Sequence, residues 1–381
     1  MTVSILLVSV QLSILLAQHV SQNAAVGSGP ATIQMVPGQP LPTRTWIERR
    51  MPAGTIRSYM QTGGKHGRAF YHPGLKSMIF AGGDWETTQP QYEGGSGVGS
   101  EIWALDVVSD KWTLLRPFCV PGEIQPGGPD TVGWAYDSKR DRGLMTPGFY
   151  NITQGAQSPC GAIYGWGGYA FAFDTRRFTG PDALAGLPRP PGGWGGDEGA
   201  AYGLYNPALD EYVRVRNAPT LERLNLSAGT WTVQKLSNRK PDWNPIPNRA
   251  QLVIDVRDQC VYWIDSPGRK VIKVRLKNAS VTQIPLPPQY VAPPEDHEIY
   301  LVFDPGNRVL MVPNNRDMGE STLNGLGIYH VDTGRWEWEA VPAAVVGSVW
   351  GFDGATGAMI GIGKRSQPFA YFLYNYTPGP R

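Results

Sequence analysis

From about residue 60 onward, short apolar runs alternate with short polar segments that are rich in turn-forming residues. No stretch has the i, i+3, i+4, i+7 apolar spacing of an amphipathic helix, so the pattern predicts strands. Six apolar runs end in an aromatic or aliphatic residue followed by Asp, Asn or His, which predicts a tight turn after each run. These endings are Tyr71-His72-Pro73, Tyr136-Asp137-Ser138, Tyr205-Asn206-Pro207, Ile254-Asp255-Val256, Phe303-Asp304-Pro305 and Phe352-Asp353-Gly354.

A second signature recurs after five of these turns, in which an apolar residue and Asp or Asn precede an aromatic residue. It runs from Leu105-Asp106 to Trp112, Phe173-Asp174 to Phe178, Leu224-Asn225 to Trp231 and Val331-Asp332 to Trp336, and is degenerate from Arg275-Leu276-Lys277 to Val281. Each repeat therefore predicts a four-stranded antiparallel sheet. Such a sheet cannot bury both faces alone, but stacking several sheets around an axis buries them, as in a propeller.

The sixth repeat contains only three strands, and its missing fourth strand has a counterpart near the N-terminus. Thr45-Trp46-Ile47-Glu48-Arg49 is similar to Lys111-Trp112-Thr113-Leu114 and to Arg335-Trp336-Glu337-Trp338. Adding this strand beside Tyr371–Tyr374 would close the ring and remove exposed sheet edges. The sequence thus predicts an all-β fold over residues 44–381, a six-bladed β-propeller of four-stranded antiparallel blades closed by the N-terminal strand.

Composition agrees with many short strands joined by turns. The 381 residues include 47 Gly, 34 Pro and 13 Trp, and only 17% are charged. Gly and Pro suit tight turns, while Trp fills broad packing interfaces. The net charge of +2 predicts no nucleic-acid partner and no attraction to anionic lipid.

Part of the repeat resembles the Kelch repeat family, which includes the propeller of galactose-oxidase-like proteins. Ile79-Phe80-Ala81-Gly82-Gly83 is similar to the family's strand and Gly-Gly element, and the segments Asp106 to Trp112 and Asp332 to Trp336 are similar to its later aromatic element. The resemblance covers about residues 44 to 377. One activity that the resemblance implies is that of a copper-radical oxidase, whose site in that family needs two His, two Tyr and a Cys linked to one Tyr. Of the five His here, only His66 and His297 are expected at the channel mouth, which disfavours that activity.

The N-terminus carries an apolar run, Ile5 to Ala17, that is too short for a stable membrane span. We interpret residues 1–27 as a signal peptide or hydrophobic leader, with a cleavage site at Ala25-Val26-Gly27, and residues 28–43 as a flexible leader. The protein is then expected to be secreted and extracellular. The alternative is an uncleaved hydrophobic tail that is used for anchoring or self-assembly.

The predicted topology brings several polar segments to one mouth of the central channel, where they precede the first strands. The long connections between second and third strands, and the segment 179–197 with Trp194, project on the same side. Aromatic rings there would stack on sugar rings, and polar groups would bond their hydroxyls. Solvation of the mouth and packing of the loops on themselves are the simpler explanations. The candidate ligand-binding residues are Lys65, His66, Asp84, Trp85, Asp130, Tyr150, Asp197, Glu198, Arg249, Asp296, His297 and Glu298.

These residues favour a ligand-binding or scaffold module that takes a glycan or a protein partner through the long-loop face. The alternative is a carbohydrate-active enzyme, a hydrolase or lyase with paired carboxylates at the channel mouth. No catalytic residue is assigned and no cofactor is predicted. A metal ion held at the mouth by imidazole and carboxylate stays open.

Cysteines and glycosylation motifs add weaker expectations. Cys119 and Cys160 are predicted on the same face of adjacent blades and could form a disulfide, whereas Cys260 lies in a predicted second strand as a buried thiol. Four N-x-S/T motifs are candidate glycosylation sites, although three of them occupy predicted turns where Asn is favoured anyway. They are Asn151, Asn225, Asn278 and Asn375.

Overall fold

The computed structural model describes the ring of blades and most of the turns that connect their strands. The described residues are 33–34, 39–52, 55, 67–82, 101–117, 120–126, 131–147, 157–158, 161–164, 167–194, 203–216, 220–237, 251–265, 269–291, 300–315, 323–342, 345, 349–362 and 370–378. These residues form six blades of four antiparallel strands. The predicted all-β, six-bladed propeller is confirmed.

Blades one to five follow one another along the chain, and within each blade the strands pair in sequential order from the innermost outward. The strands of blade one are Gly67–His72, Ser77–Gly82, Ile102–Asp106 and Lys111–Arg116. Those of blade two are Thr131–Asp137, Arg142–Pro147, Tyr169–Ala172 and Arg177–Thr179. Blade three contains Gly203–Asn206, Glu211–Arg216, Thr220–Asn225 and Thr230–Lys235. Blade four contains Val253–Asp255, Cys260–Asp265, Lys270–Arg275 and Val281–Pro285, and blade five contains Val302–Asp304, Val309–Asn315, Leu323–His330 and Arg335–Glu339.

Blade six joins the two ends of the chain. Its strands Val349–Asp353, Ala358–Ile362 and Ala370–Asn375 are completed by Trp46–Arg50, which pairs antiparallel with the last of them. Trp46 lies opposite Tyr374, as predicted, and its ring centroid is 4.9 Å from that of Tyr374. Within the stretch that the sequence assigned to a flexible leader, Ile33–Gln34 adds a fifth strand parallel to Trp46–Arg50.

The core lies between neighbouring blades. Between blades three and four, for example, Val213 and Leu221 share a buried cluster with Val261, Trp263 and Ile272. All five side chains are fully buried, which follows from apolar residues on both faces of each radial sheet. Cys260, the predicted buried thiol, is also fully buried, at the start of the second strand of blade four.

Four-residue turns join the first and second strands of every blade. The last residue of each turn has a left-handed backbone, as in hairpin turns that follow a type I geometry with one αL residue. Only blade six uses glycine there; the six residues are Lys76, Asp141, Asp210, Gln259, Arg308 and Gly357, with φ between 49° and 72°. Side chains at these αL positions therefore project from the turns and are free to contact the neighbouring blade.

A small sheet outside the blades links blade one to blade two. Gln125–Pro126, which follows blade one, pairs parallel with Gly161–Tyr164, and Gln157–Ser158 pairs antiparallel with the same strand. The sheet brings together the two connections that carry Cys119 and Cys160, but both cysteines lie outside the described residues, so the disulfide stays a prediction. The described part also has one short 3-10 helix, Asp182–Ala185, and none of its helices is long and apolar enough to cross a membrane.

Candidate functional site

The residue that ends each first strand caps the turn that follows it. In blade four, Asp255 Oδ1 accepts hydrogen bonds from the backbone N–H groups of Arg257 at 3.1 Å and Asp258 at 3.2 Å. In blade one, His72 Nδ1 accepts the N–H of Leu75 at 3.1 Å. The six capping side chains are at most 2% exposed and form a ring around one end of the channel: His72, Asp137, Asn206, Asp255, Asp304 and Asp353. The Asp, Asn and His endings in the sequence are therefore turn caps.

This capping ring also connects the blades. In three interfaces, the capping side chain of one blade meets the αL side chain of the next blade. The pairs are His72 Nε2 and Asp141 Oδ1 at 2.9 Å, Asn206 Nδ2 and Gln259 Oε1 at 2.8 Å, and Asp255 and Arg308 Nη1 at 3.1 Å. Each pair is complementary in charge or hydrogen bonding, so the turns form latches from blade one to blade two, from three to four and from four to five.

Blades two and three present two acids, Asp137 and Asp210, at the corresponding positions. Arg140 bridges them, with Nη1 at 3.1 Å from Asp137 Oδ2 and Nη1 at 2.7 Å from Asp210 Oδ1. The hydrogen bond from Arg140 is the largest cause that holds the pKa of Asp210 well below its usual value. In this interface the Arg140 cation lies between the two carboxylates and takes the place of the direct contact between the capping side chain and the αL side chain.

The latch at His72 predicts a pH-dependent stability. Burial holds the pKa of His72 below its usual value, and Nδ1 must stay unprotonated to accept the Leu75 N–H. The unfolded chain therefore binds this proton more readily, so stability is fully present above about pH 6.5 and is lost as the pH falls below it. Asn caps the same position in blade three, so His72→Asn should keep the cap and remove this component.

The test is urea unfolding of the native protein and of the His72→Asn variant at about pH 7.5 and at about pH 5.5. Among side chains with unperturbed pKa values, only His changes its charge between these two pH values. We expect the native protein to lose more stability than the variant when the pH is lowered from the first value to the second. Equal losses would show that His72 is not responsible.

The residue immediately before each cap forms a second ring, which we call the collar: Tyr71, Tyr136, Tyr205, Ile254, Phe303 and Phe352. Collar side chains pack toward the preceding blade. The Tyr136 ring lies 4.5 Å from the His72 ring, and Tyr71 packs so closely on Gly354 that a Cβ there would lie 2.7 Å from Tyr71 Cδ1. A larger residue at 354 would therefore displace the Tyr71 ring.

An axial cavity of about 540 Å³ opens inside the collar. It extends from the middle of the first strands to the turns of blades four and five, which are on the side opposite the predicted mouth. Its size lies within the range of about 300–1,000 Å³ that is usual for small-molecule sites. The collar side chains except Tyr71 line it, together with Phe70, Trp134, Gln251, Asp255, Arg257 and Arg308. The cavity wall is thus mainly apolar and includes six aromatic residues, with Asp255, Arg257 and Arg308 at the turn end and Gln251 at the other end.

The candidate residues named from the sequence cannot be placed around this cavity. All twelve lie outside the described residues: Lys65, His66, Asp84, Trp85, Asp130, Tyr150, Asp197, Glu198, Arg249, Asp296, His297 and Glu298. The collar was visible in the sequence as an aromatic or aliphatic residue before each cap, but we interpreted it only as a turn signal. Its six-fold recurrence could have revealed a ring around the axis.

Trp194 was expected at the binding face and is instead 4% exposed. It packs beside Arg214 in the segment that connects blade two to blade three. Packing of the connection on the blades explains this aromatic residue better than ligand binding does.

Three of the four glycosylation motifs are described, and their Asn side chains hold local structure. Asn225 Oδ1 accepts the Ala228 N–H at 2.8 Å, and Asn278 Oδ1 accepts the Ser280 N–H at 3.2 Å. Asn375 donates to a backbone carbonyl at 3.3 Å. Asn151 lies outside the described residues, and glycosylation stays a prediction.

Neither a protein-family model nor a curated protein sequence matches this chain. Among solved structures, the fold is similar to that of an auxiliary nutrient binding protein from Bacteroides thetaiotaomicron, with a TM-score of 0.51 and 9% identity over 82% of this chain and 69% of that chain. It is also similar to a structural genomics protein of unknown function from the same organism, with a TM-score of 0.48 and 10% identity over 86% of this chain and 72% of that chain. The similarity to the nutrient binding protein concerns the fold alone. The Kelch resemblance stays a prediction.

Proposed function

We propose that this protein is an extracellular ligand-binding or scaffold module that takes a glycan or a protein partner, with the axial cavity as part of its binding site. The observation that carries the proposal is the cavity of about 540 Å³, which is lined by rings from several blades. A binding role also agrees with the name of the nutrient binding protein that shares the fold, although fold alone does not decide function.

Aromatic side chains favour a sugar as the ligand in the cavity. Tyr136, Phe303 and Phe352 are partly exposed, so part of each side chain is available for contact. Their rings offer apolar faces to the C–H surface of a sugar. Gln251 and Arg257 at the cavity supply groups that can bond its hydroxyls. The loop residues named from the sequence, with Trp85 first among them, would extend this site at the other mouth.

The proposal is tested by a glycan array followed by calorimetry on the native protein and two variants. Phe303→Leu keeps an apolar side chain but removes an aromatic face of the cavity, and should weaken binding about 2- to 10-fold. Trp85→Ala removes the predicted loop contact. Phe178→Leu is the matched control, because Phe178 is buried in the outer strand of blade two, away from the cavity.

Weaker binding in Phe303→Leu at unchanged affinity in Phe178→Leu would support the cavity site. Loss of glycan binding in Trp85→Ala alone would place the whole site at the loop face and contradict a role for the cavity. Cleavage of a bound glycan would replace the binding role with the enzymatic alternative.

A further inference from the structure

A row of positively charged side chains lies on the outer part of blade four, on the side that faces blade five. Lys273 and Arg275 are two positions apart on the third strand of blade four, so both side chains project from one face of the sheet. That face packs against blade five, because Tyr262, which lies opposite Lys273, shares a buried cluster with Leu310. Lys273 Nζ is 5.5 Å from the centroid of the Tyr262 ring. Lys277 lies in the turn after this strand and adds a third cation.

These three cations have no carboxylate partner in the part of the chain that the structure describes. Lys273 is partly exposed, and Arg275 and Lys277 are exposed. The described residues of blade four, 251–265 and 269–291, contain six Lys or Arg and three Asp, a net charge of +3, whereas the whole chain has a net charge of +2. Blade four therefore concentrates positive charge that can attract an anion from solution.

Acidic residues near this interface bind other cations and do not neutralise the row. Glu337 and Glu339, on the outer strand of blade five, bind Arg44 at 2.8 Å and 2.7 Å. At the turn end of the interface, two arginines hold a group of three acids, in which Arg308 binds Asp255, Asp258 and Asp332, and Arg257 lies 4.0 Å from Asp258. That group has a net charge of −1, which is smaller in magnitude than the charge of +3 on the row.

Two partly exposed tryptophans provide aromatic faces on the blade-five side of the same interface. Trp336 and Trp338 are two positions apart on the outer strand of blade five, and both pack on the buried cluster between blades four and five. Trp336 Nε1 donates to the carbonyl of Pro285, on the outer strand of blade four, at 2.9 Å. Thr282 lies opposite Lys273 and three positions before Pro285, so about 10 Å of strand separates the Trp336 contact from Lys273. A short oligosaccharide can span this distance.

We infer that the outer rim between blades four and five binds a glycan that carries carboxylate groups. The rim is formed by Lys273, Arg275, Lys277, Trp336 and Trp338. Its cations attract the carboxylates, and its tryptophan faces pack on the apolar C–H surface of sugar rings, which an acidic peptide without aromatic or aliphatic side chains does not offer. The choice of a glycan rests on the proposed function, but the rim is a second surface, since none of its residues lines the axial cavity.

Trigalacturonate and its fully methyl-esterified form provide a matched pair of probes, because they share the same sugar rings and differ in charge. In calorimetric titrations near pH 7 and low salt, we expect trigalacturonate to bind the native protein about 3- to 30-fold tighter than the ester. High salt should remove most of this difference, since the charges are exposed. Equal affinity for acid and ester, or no binding of trigalacturonate, would overturn the inference. Hexaglutamate binding as tightly as trigalacturonate would overturn the choice of a glycan.

Two charge variants locate the binding surface. Arg275→Gln/Lys277→Gln changes two exposed side chains, and should weaken trigalacturonate binding about 2- to 10-fold and leave binding of the ester unchanged. Lys111→Gln/Lys235→Gln is the matched control, since these cations are exposed on the outer strands of blades one and three. An equal effect of both double variants would show that only the overall charge matters and would overturn the inference.

Trp336→Leu tests the aromatic part of the rim and should weaken binding of the acid and the ester alike, with thermal unfolding used to verify that the variant is folded. Trigalacturonate affinity that Trp336→Leu leaves unchanged would contradict stacking at the rim. Phe303→Leu separates this inference from the proposed function, because it alters the axial cavity and should not change trigalacturonate affinity. Loss of trigalacturonate binding in Phe303→Leu would place the acidic glycan in the cavity and overturn the rim site, whereas failure of the rim variants leaves the cavity proposal intact.

Discussion

A chain that lacks residues 1–51 is expected to lose its soluble monomeric fold, whereas a chain that lacks residues 1–42 should retain it. The shorter deletion leaves the closing strand, Trp46–Arg50, in place. The longer deletion exposes the edge of Ala370–Asn375, a strand in which every residue except the last is buried. An unpaired apolar edge is a template for pairing with other chains. Aggregation should therefore accompany any loss of stability.

The closing strand also contributes packing that no other residue replaces. Trp46 is 2% exposed and lies 6.1 Å from the Trp350 ring, and Ile47 is fully buried. Arg49 is 3% exposed and donates to the carbonyl of Val107 in blade one, which connects the last blade to the first. Removing a buried Trp alone typically costs about 3–5 kcal/mol, which is a large fraction of the usual stability of a domain.

Size-exclusion chromatography and thermal unfolding of the two truncated chains would measure this effect. Arg44 links the closing strand to blade five, because it binds Glu337 at 2.8 Å and Glu339 at 2.7 Å. The 43–381 chain retains this residue. A peptide of residues 43–51 added in trans should restore the soluble monomer of the 52–381 chain. A 52–381 chain that is as stable as the 43–381 chain would contradict closure by this strand.

Arg214→Met is expected to have the second large effect, lowering the free energy of unfolding by about 3–5 kcal/mol. Arg214 is 2% exposed and its Nε donates to Glu222 Oε2 at 2.6 Å. Its guanidinium lies 5.3 Å from the Trp194 ring centroid and 5.2 Å from that of Trp231, and it donates to the carbonyl of Gly193 at 2.9 Å. Methionine would fill the space but leave the buried carboxylate of Glu222 without this cation.

Arg223→Met is the control, because Arg223 occupies the next strand and binds Glu211 at 3.5 Å with a side chain that is 17% exposed. The control should cost about 1 kcal/mol or less. The double variant Arg214→Met/Glu222→Leu should recover most of the stability, since removing both charges removes the desolvation penalty. Equal losses in Arg214→Met and Arg223→Met, measured by urea unfolding, would show that the buried pair is not special.

Arg214 also shows how a connection becomes part of the fold. The segment from Gly180 to Trp194 leaves blade two, forms a short 3-10 helix and is held by Arg142, whose Nη1 donates to Ala185 O at 2.7 Å. Arg214 holds the far end of the same segment. Sequence patterning identified the segment as a loop, since its Gly and Pro content masks the buried residues Leu187 and Trp194.

The architecture was predictable from the sequence because each repeat encodes the same local structure. A strand, a capping Asp, Asn or His, a turn and, in most repeats, an aromatic residue recur at similar spacing, and turn formation depends mainly on residues close in the chain. The closing strand was predictable for the same reason, since Trp46 repeats the pattern of Trp112 and Trp336. The pairing of Trp46–Arg50 with Ala370–Asn375, which are about 300 residues apart in the chain, was therefore predictable from counting the strands.

The candidate site depended on the tertiary structure. Whether Asp255 serves only its turn or also pairs with Arg308 depends on how neighbouring blades stack, and the two residues are 53 positions apart. The cavity likewise exists only when first strands from different blades converge on one axis. By itself, the sequence determined the strands, the turns and the number of blades, because these depend on local patterning. Only the tertiary structure decided the latches, the collar and the cavity, because these depend on contacts between residues that are distant in the chain.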